Sequence, residues 1–395
     1  MSRADLLSLP QHEAVRPMPG PRIMAIDALR GLVMLLMLVD HTREFFYLDR
    51  QVTDPMNLDV TDPALFLTRL AAHLCAPVFV VLTGVSAWLH ARGDAARAGA
   101  FLAKRGLFLI VLEVTLVNFA WTFDPAPETY FLQVIWAIGL SMLALAALIH
   151  LPRACVAGLG GALILGHNLL DGITLAPDAP GHALWAILHQ RDLIALPWGA
   201  AARTSYPVLP WIGAMAIGYA AGPWFGREAN PKMRGRALLL FSAGSLALFA
   251  LLRAATGYGD TQAWTVSGNM PRDAMAFVNL TKYPASACFL LLTLGIGASL
   301  LNLFERAEHR GAGAAIRWLA VLGGAPLFFY LVHLYLLHAA NRAAGAVMGA
   351  QGLTSVPSVG WIWALAALTA VPCWFATRWF AGVKRASPAW WMRYL

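Results

Sequence analysis

Apolar runs long enough to cross a bilayer recur along the whole chain. They lie near residues 24–46, 65–89, 106–123, 130–149, 154–170, 206–225, 237–253, 283–303, 318–340 and 361–380, each bounded by proline, glycine or charge. A hydrocarbon core of about 30 Å takes roughly 20 apolar residues as helix, so the pattern predicts an all-α, polytopic transmembrane helix bundle of about ten spans. The 171–205 connection is longer than the rest. Its stretch His182–His189 is too short to span, yet apolar enough to lie on the membrane or dip into it and cap a cavity. No internal repeat suggests the inverted halves of many transporters. The chain divides into a lead, 1–22, a membrane domain, 23–382, and a tail, 383–395. The lead is polar, has no signal-peptide order, and reads as a disordered cytoplasmic segment.

Composition agrees with this reading: 59% of the 395 residues are hydrophobic and 13% charged, against roughly 45–50% and about 25% in soluble domains. The net charge of +8 would point to nucleic acid in a soluble protein, but the placement of the basic residues points to a membrane. They cluster at Arg92/Arg97/Lys104/Arg105, Arg227/Lys232/Arg234/Arg236, Arg306/Arg310/Arg317 and Arg378/Lys384/Arg385/Arg393, in alternate loops. With Arg3, Arg16, Arg22 and Arg153 they set both termini inside under the positive-inside rule. The first outside loop has the opposite balance, with Glu44, Asp49, Asp54, Asp59 and Asp62 against Arg43 and Arg50. Cys75, Cys155, Cys288 and Cys373 are far apart and lack ligand spacing, so neither a disulfide nor a metal is expected.

Span 1 is unusual. Ile26-Asp27-Ala28-Leu29-Arg30-Gly31 opens it, Val39-Asp40-His41-Thr42-Arg43 closes it, and only nine residues separate Arg30 from Asp40. Nine residues cannot cross a bilayer, so some of these groups stand at membrane depth or line a wet cavity, where an ionisable side chain marks a functional site. The bland alternative has Asp27 capping, Arg30 snorkelling and His41 at the interface. Arg30 and His41 lie roughly 16 Å apart along the helix and close to one face. That spacing suits Arg30 to a phosphate and His41 to a base.

Later spans carry Glu113 and Asn118, Gln133, and His167-Asn168 with Asp171. Amides there more often bond neighbouring helices, whereas a carboxylate such as Glu113 demands a partner or a proton. Lys282 either neutralises an anionic ligand or sits at the headgroup boundary. His333 and His338, about 140° apart around their helix, make a poor metal pair. His73 suits a buried interhelical bond.

Five stretches together resemble the bacterial membrane proteins similar to heparan-alpha-glucosaminide N-acetyltransferase. They are Ile26-Asp-Ala-Leu-Arg-Gly-Leu through Asp40-His41, Cys75-Ala-Pro-Val-Phe-Val-Val-Leu-Thr-Gly84, Gly166-His-Asn-Leu-Leu-Asp171, Asn279-Leu-Thr-Lys-Tyr-Pro284 and Pro326-Leu-Phe-Phe-Tyr-Leu-Val-His333. The resemblance implies a transmembrane acyltransferase moving an acyl group, acetyl above all, from cytoplasmic acyl-CoA to a carbohydrate-like acceptor outside. The Arg-then-His arrangement also resembles the acyltransferase-3 family, in which a histidine at this spacing is catalytic, and so selects His41. The candidates are then His41 with Asp40 for catalysis, Arg30, Asp27 and Lys282 for the acetyl-CoA co-substrate, and His167, Asn168, Asp171, His333 and Glu113 for the acceptor, with no metal. Direct transfer needs fewer assumptions than an acyl-His41 intermediate. A proton-coupled secondary transporter using Asp27, Arg30, Asp40, Glu113 and His333 is the rival reading. The expected location is the plasma (inner) membrane, with the lipid bilayer and acyl-CoA as partners and no nucleic acid. Oligomeric state stays open, a homodimer included.

Overall fold

The computed structural model describes residues 23–47, 55–91, 94–311, 313–349, 354–387 and 389–394. The expected lead with Arg3, Arg16 and Arg22 lies outside the described residues. So do Asp49, Arg50, Asp54 and Arg92 and the side chain of Arg393.

Helix α1 (Met24–Phe46) is followed by α2 (Pro63–Ala71) and α3 (Cys75–Ala91), which a single 3₁₀ turn joins into one rod. Pro63 opens this rod and Asp62 caps it, accepting from the Ala64 N–H at 2.8 Å. α4 (Ala95–Leu112) passes through a π-turn, Glu113–Val117, into α5 (Asn118–Thr122). Strand β1 (Thr129–Leu132) leads to α6 (Val134–Leu148) and α7 (Arg153–Gly166). Next come α8 (His182–Leu188), β2 (Leu193–Ala195), β3 (Ala201–Thr204) and α9 (Leu209–Ala221). The chain ends with α10 (Pro231–Ala255), α11 (Met270–Val278), α12 (Ala287–His309), α13 (Gly313–Gly323), α14 (Pro326–Val347) and α15 (Val359–Ala386).

Every apolar run predicted as a span is helical through most of its length, but among the described residues five helices are by themselves long and apolar enough to cross a membrane. They are Pro63–Ala91, Arg153–Leu170, Pro231–Ala255, Ala287–His309 and Val359–Ala386. A sixth counts if α13 and α14 form one broken span, because they meet at 75°. The straight helix expected over 318–340 is therefore two helices. Gly324 and Ala325 interrupt it, and Pro326 starts α14 without an N–H to carry the ladder back. α6 and α9, at 15 and 13 residues, are too short alone, and the charges of α1 set it apart. α12 begins at Ala287 rather than 283, which leaves 279–286 outside the span.

The all-α expectation also needs correction. β1 pairs parallel with β3, and β2 pairs antiparallel with β3, giving a three-stranded sheet in the order β1-β3-β2. Thr129-Tyr-Phe-Leu132 is rich in strand formers that read as the start of a span. A small core of Leu132, Trp136 and Ala202 seats the 171–205 excursion on α6.

α1 is the central element, packing against α3, α12, α13, α14 and α15. It meets α13 backbone to backbone: a Cβ on Gly31 would overlap the Leu319 carbonyl oxygen, and one on Gly323 the Asp27 carbonyl oxygen. In the Gly158–Gly161 run only Gly160 makes a close approach, to Gly213 on α9; Gly158 and Gly161 face open space.

Candidate active site

The charged groups of α1 fall at its two ends, and the structure gives them different surroundings. At the C-terminal end, His41 Nδ1 lies 2.7 Å from His333 Nε2, with the two rings nearly parallel. His333 Nδ1 lies 2.8 Å from the Phe329 carbonyl oxygen, a contact only an N–H can satisfy. That bond puts the His333 proton on Nδ1 and leaves Nε2 as acceptor, so His41 Nδ1 donates and His41 Nε2 keeps its lone pair. Nε2 has no hydrogen-bond partner among the described residues. Trp121 and Tyr330 meet the His41 ring edge-on, at 5.0 and 5.9 Å. The half-buried imidazole is thereby fixed in orientation and tautomer, with its basic nitrogen open.

Asp40 does not orient His41. Its carboxylate accepts from Arg43 Nε at 3.1 Å and from Arg69 NH1, so it is the anionic centre of a buried ion cluster joining α1 to α2. Adjacent residues on a helix point about 100° apart, which explains why Asp40 and His41 face different neighbours. The orienting group is His333, expected from sequence to touch the acceptor.

Beside this cluster is a cavity of about 410 Å³, lined by Arg43, Arg69, His73, Arg191, Lys282 and Tyr283 among others. Its four cations share the lining with the carboxylate of Glu44, and Arg43 and Arg69 also hold Asp40, so positive charge dominates. Lys282 Nζ sits over the rings of Tyr206 and Tyr283, 5.8 and 5.2 Å from their centroids, and the Arg191 guanidinium lies 5.0 Å from the Tyr283 ring centroid. Burial pushes the Tyr283 phenol up, but Lys282 and Arg69 outweigh it and bring it down to about 8. The 171–205 excursion forms one wall through Arg191. His73, buried and edge-on to Phe289 at 5.2 Å, lines the cavity.

At the N-terminal end of α1, Arg30 reaches Asp27 at 3.2 Å, the Leu82 carbonyl at 3.2 Å and Ser86 Oγ at 2.6 Å, tying α1 to α3. The like-charged Arg105 of α4 lies within its electrostatic reach. Lys282 belongs to the opposite end, by the Asp40 cluster, so Arg30, Asp27 and Lys282 do not form one co-substrate site. Glu113 is also placed differently from the expected acceptor role. Fully buried, it accepts from the Trp136 N–H at 2.9 Å and so caps α6, whose N-cap residue Gln133 offers no side-chain bond. Asn168 donates to Asp171 Oδ2 at 2.7 Å and accepts from the Ala287 N–H at 2.9 Å. His167 and Asp171 turn toward His189, away from the lining of the cavity.

The catalytic-domain family described as heparan-alpha-glucosaminide N-acetyltransferase matches residues 22–254, more than half of the chain. The chain belongs to this family. Among curated proteins, none matches it. As a member of the heparan-alpha-glucosaminide N-acetyltransferase family, it is a multi-pass membrane protein of the membrane acetyltransferase class. The matched region holds α1 with Arg30 and His41, the Cys75–Gly84 stretch and Gly166–Asp171. The stretches at 279–284 and 326–333 lie beyond the match, yet they deliver Lys282, Tyr283 and His333 to the same end of α1.

Arg69 and Arg191 are the main residues of this acetyltransferase-family site that the sequence reading passed over. Arg69 was legible: Arg69 and His73 stand four apart in an apolar run, a spacing that puts both on one face. Arg191 had no such signal, because its place depends on how the excursion folds back.

Proposed function

We propose that this protein transfers an acetyl group from acetyl-CoA to a sugar or glycan acceptor bearing an anionic group, across a plasma membrane in which both termini are cytoplasmic. The observation that carries the proposal is the His41–His333–Phe329 chain, which leaves a lone pair on His41 Nε2 at the end of α1 where Arg43 lines a cationic cavity. In the reaction, His41 Nε2 takes the proton from the acceptor hydroxyl or amine as that atom attacks the thioester carbonyl. The new C–O or C–N bond forms, the C–S bond breaks, and the imidazolium returns the proton to the departing thiolate. While His41 is charged, its Nδ1–H stays bonded to His333 Nε2, which spreads the charge without another rotation. Arg30, with Arg105, serves the donor phosphates. The roughly 16 Å from Arg30 to His41 is comparable with an extended pantetheine arm. That length separates phosphates from thioester, which leaves the cationic cavity at the same end of α1 as His41 to the acceptor.

The test is turnover of acetyl-labelled acetyl-CoA by detergent-purified protein, with and without amino sugars and acidic glycans. Donor-dependent labelling of an acceptor is expected. Label trapped on the protein without acceptor would replace direct transfer by an acyl-His41 route. Failure to bind or consume acetyl-CoA, with solute uptake into proteoliposomes, would replace the enzyme by a transporter.

A further inference from the structure

His167, Asp171 and His189 offer one ligand atom each, and the three atoms lie within 4.8 Å of one another. The two histidines are 2% and 3% exposed, and none of their four ring nitrogens closes a hydrogen bond. Buried imidazoles left open in this way call for a partner. The surroundings have the form of a ligand shell. His189 Nε2 stands 3.2 Å from Asp171 Oδ1, while Asn168 grips the other carboxylate oxygen and the α12 backbone.

We infer that His167, Asp171 and His189 bind a divalent transition ion of the zinc class, with water completing a tetrahedral shell. Zinc lies about 2.0–2.2 Å from nitrogen and oxygen ligands, so two ligand atoms in a tetrahedral shell stand roughly 3.3–3.6 Å apart. The widest pair of the three has to close by up to about 1.5 Å from the 4.8 Å limit, a shift within reach of side-chain rotation. Two imidazoles and one carboxylate suit zinc over magnesium or calcium, which favour all-oxygen shells. His167 and Asp171 bracket the 3₁₀ turn that follows α7, whereas His189 comes twenty-two residues after His167, beyond α8 on the excursion. The ion therefore clamps the excursion to the bundle, and Arg191, two residues beyond His189, is held in the cavity wall by that clamp.

The test uses the untagged full-length protein in detergent, stripped with a chelator and titrated with Co²⁺ and then Zn²⁺. Wild type is expected to bind one equivalent, to show the visible d–d bands of tetrahedral Co²⁺, and to lose them when Zn²⁺ displaces it. His189→Ala and Asp171→Asn, chosen on different segments so that misfolding of one leaves the other to be read, should each lower affinity at least about tenfold. Zn²⁺ should also slow proteolysis within 171–205 in wild type only. Wild type that takes up no Co²⁺ overturns the inference whatever the variants do. Equal uptake by wild type and a folded variant overturns it too. Acetyl transfer is not read, so this result and that of the proposed function stand apart.

Discussion

The two ends of α1 look alike in sequence and behave differently in the fold. Each presents an acid and a base, Asp27 with Arg30 and Asp40 with His41, separated by apolar residues. At the first end the guanidinium is committed to Asp27, Leu82 and Ser86. At the second, the acid is committed to Arg43 and Arg69, and this frees His41 for His333. Reactivity follows from which partner each group is denied. A base whose neighbouring carboxylate is occupied elsewhere, and whose other nitrogen is held by a neutral ring, keeps an available lone pair.

The largest effect that would break this contrast is expected from His41→Ala. General-base catalysis contributes about 10²–10⁴-fold, so kcat should fall by that factor while acetyl-CoA binding is retained, measured by turnover and by titration of the donor. Unchanged kcat would remove His41 from the chemistry. His333→Asn comes next. Loss of orientation costs roughly 10–100-fold, and adding it to His41→Ala should slow turnover no further, because His333 acts through His41. A double variant much slower than His41→Ala would give His333 a role of its own.

This second experiment concerns a residue whose partner was not legible in the chain. His41 could be chosen from its spacing to Arg30, since a single helix fixes that distance. His333 lies 292 residues away on a helix whose break at Gly324–Pro326 sets its direction, so the pairing exists only in the tertiary structure. Asp40 was paired with His41 as a catalytic candidate, but its carboxylate is held by Arg43 and Arg69, and Arg69 comes from a helix the sequence does not place beside it. Glu113 was misread because helix capping from a neighbouring helix leaves no local pattern. The helices themselves were readable, being set by apolar runs, but their unity was not. A run of suitable hydropathy over 318–340 says nothing of the 75° break inside it.

The Arg30 end is sharpened by Arg30→Gln. A hydrogen bond to a charged group is worth about 1.5–3 kcal/mol, so KM for acetyl-CoA should rise about tenfold or more with kcat changed less, in steady-state kinetics at saturating acceptor. A fall in kcat at unchanged donor KM would instead place Arg30 in the structural tie between α1 and α3 alone.

The smallest effect is expected at the His41 end, from proton binding to Tyr283. Its phenol, brought down to about 8, is neutral below that pH and anionic above it. Ionisation adds a negative charge to a cavity lined by Arg43, Arg69, Arg191 and Lys282 with Glu44, where Arg43 and Arg69 also pair with Asp40. An anionic acceptor should therefore bind less well as pH rises through 8, by a few-fold, because a charge within several ångströms in a partly wet cavity is worth on the order of 1 kcal/mol. Donor KM, set at the other end of α1 roughly 16 Å away, should not follow. In Tyr283→Phe the acceptor profile should flatten across this range while the donor profile stays as in wild type. A step that persists in Tyr283→Phe would assign the titration to another group. An equal step in donor KM would mean that the two ends of α1 share one ligand, and the division of labour along the helix would fail.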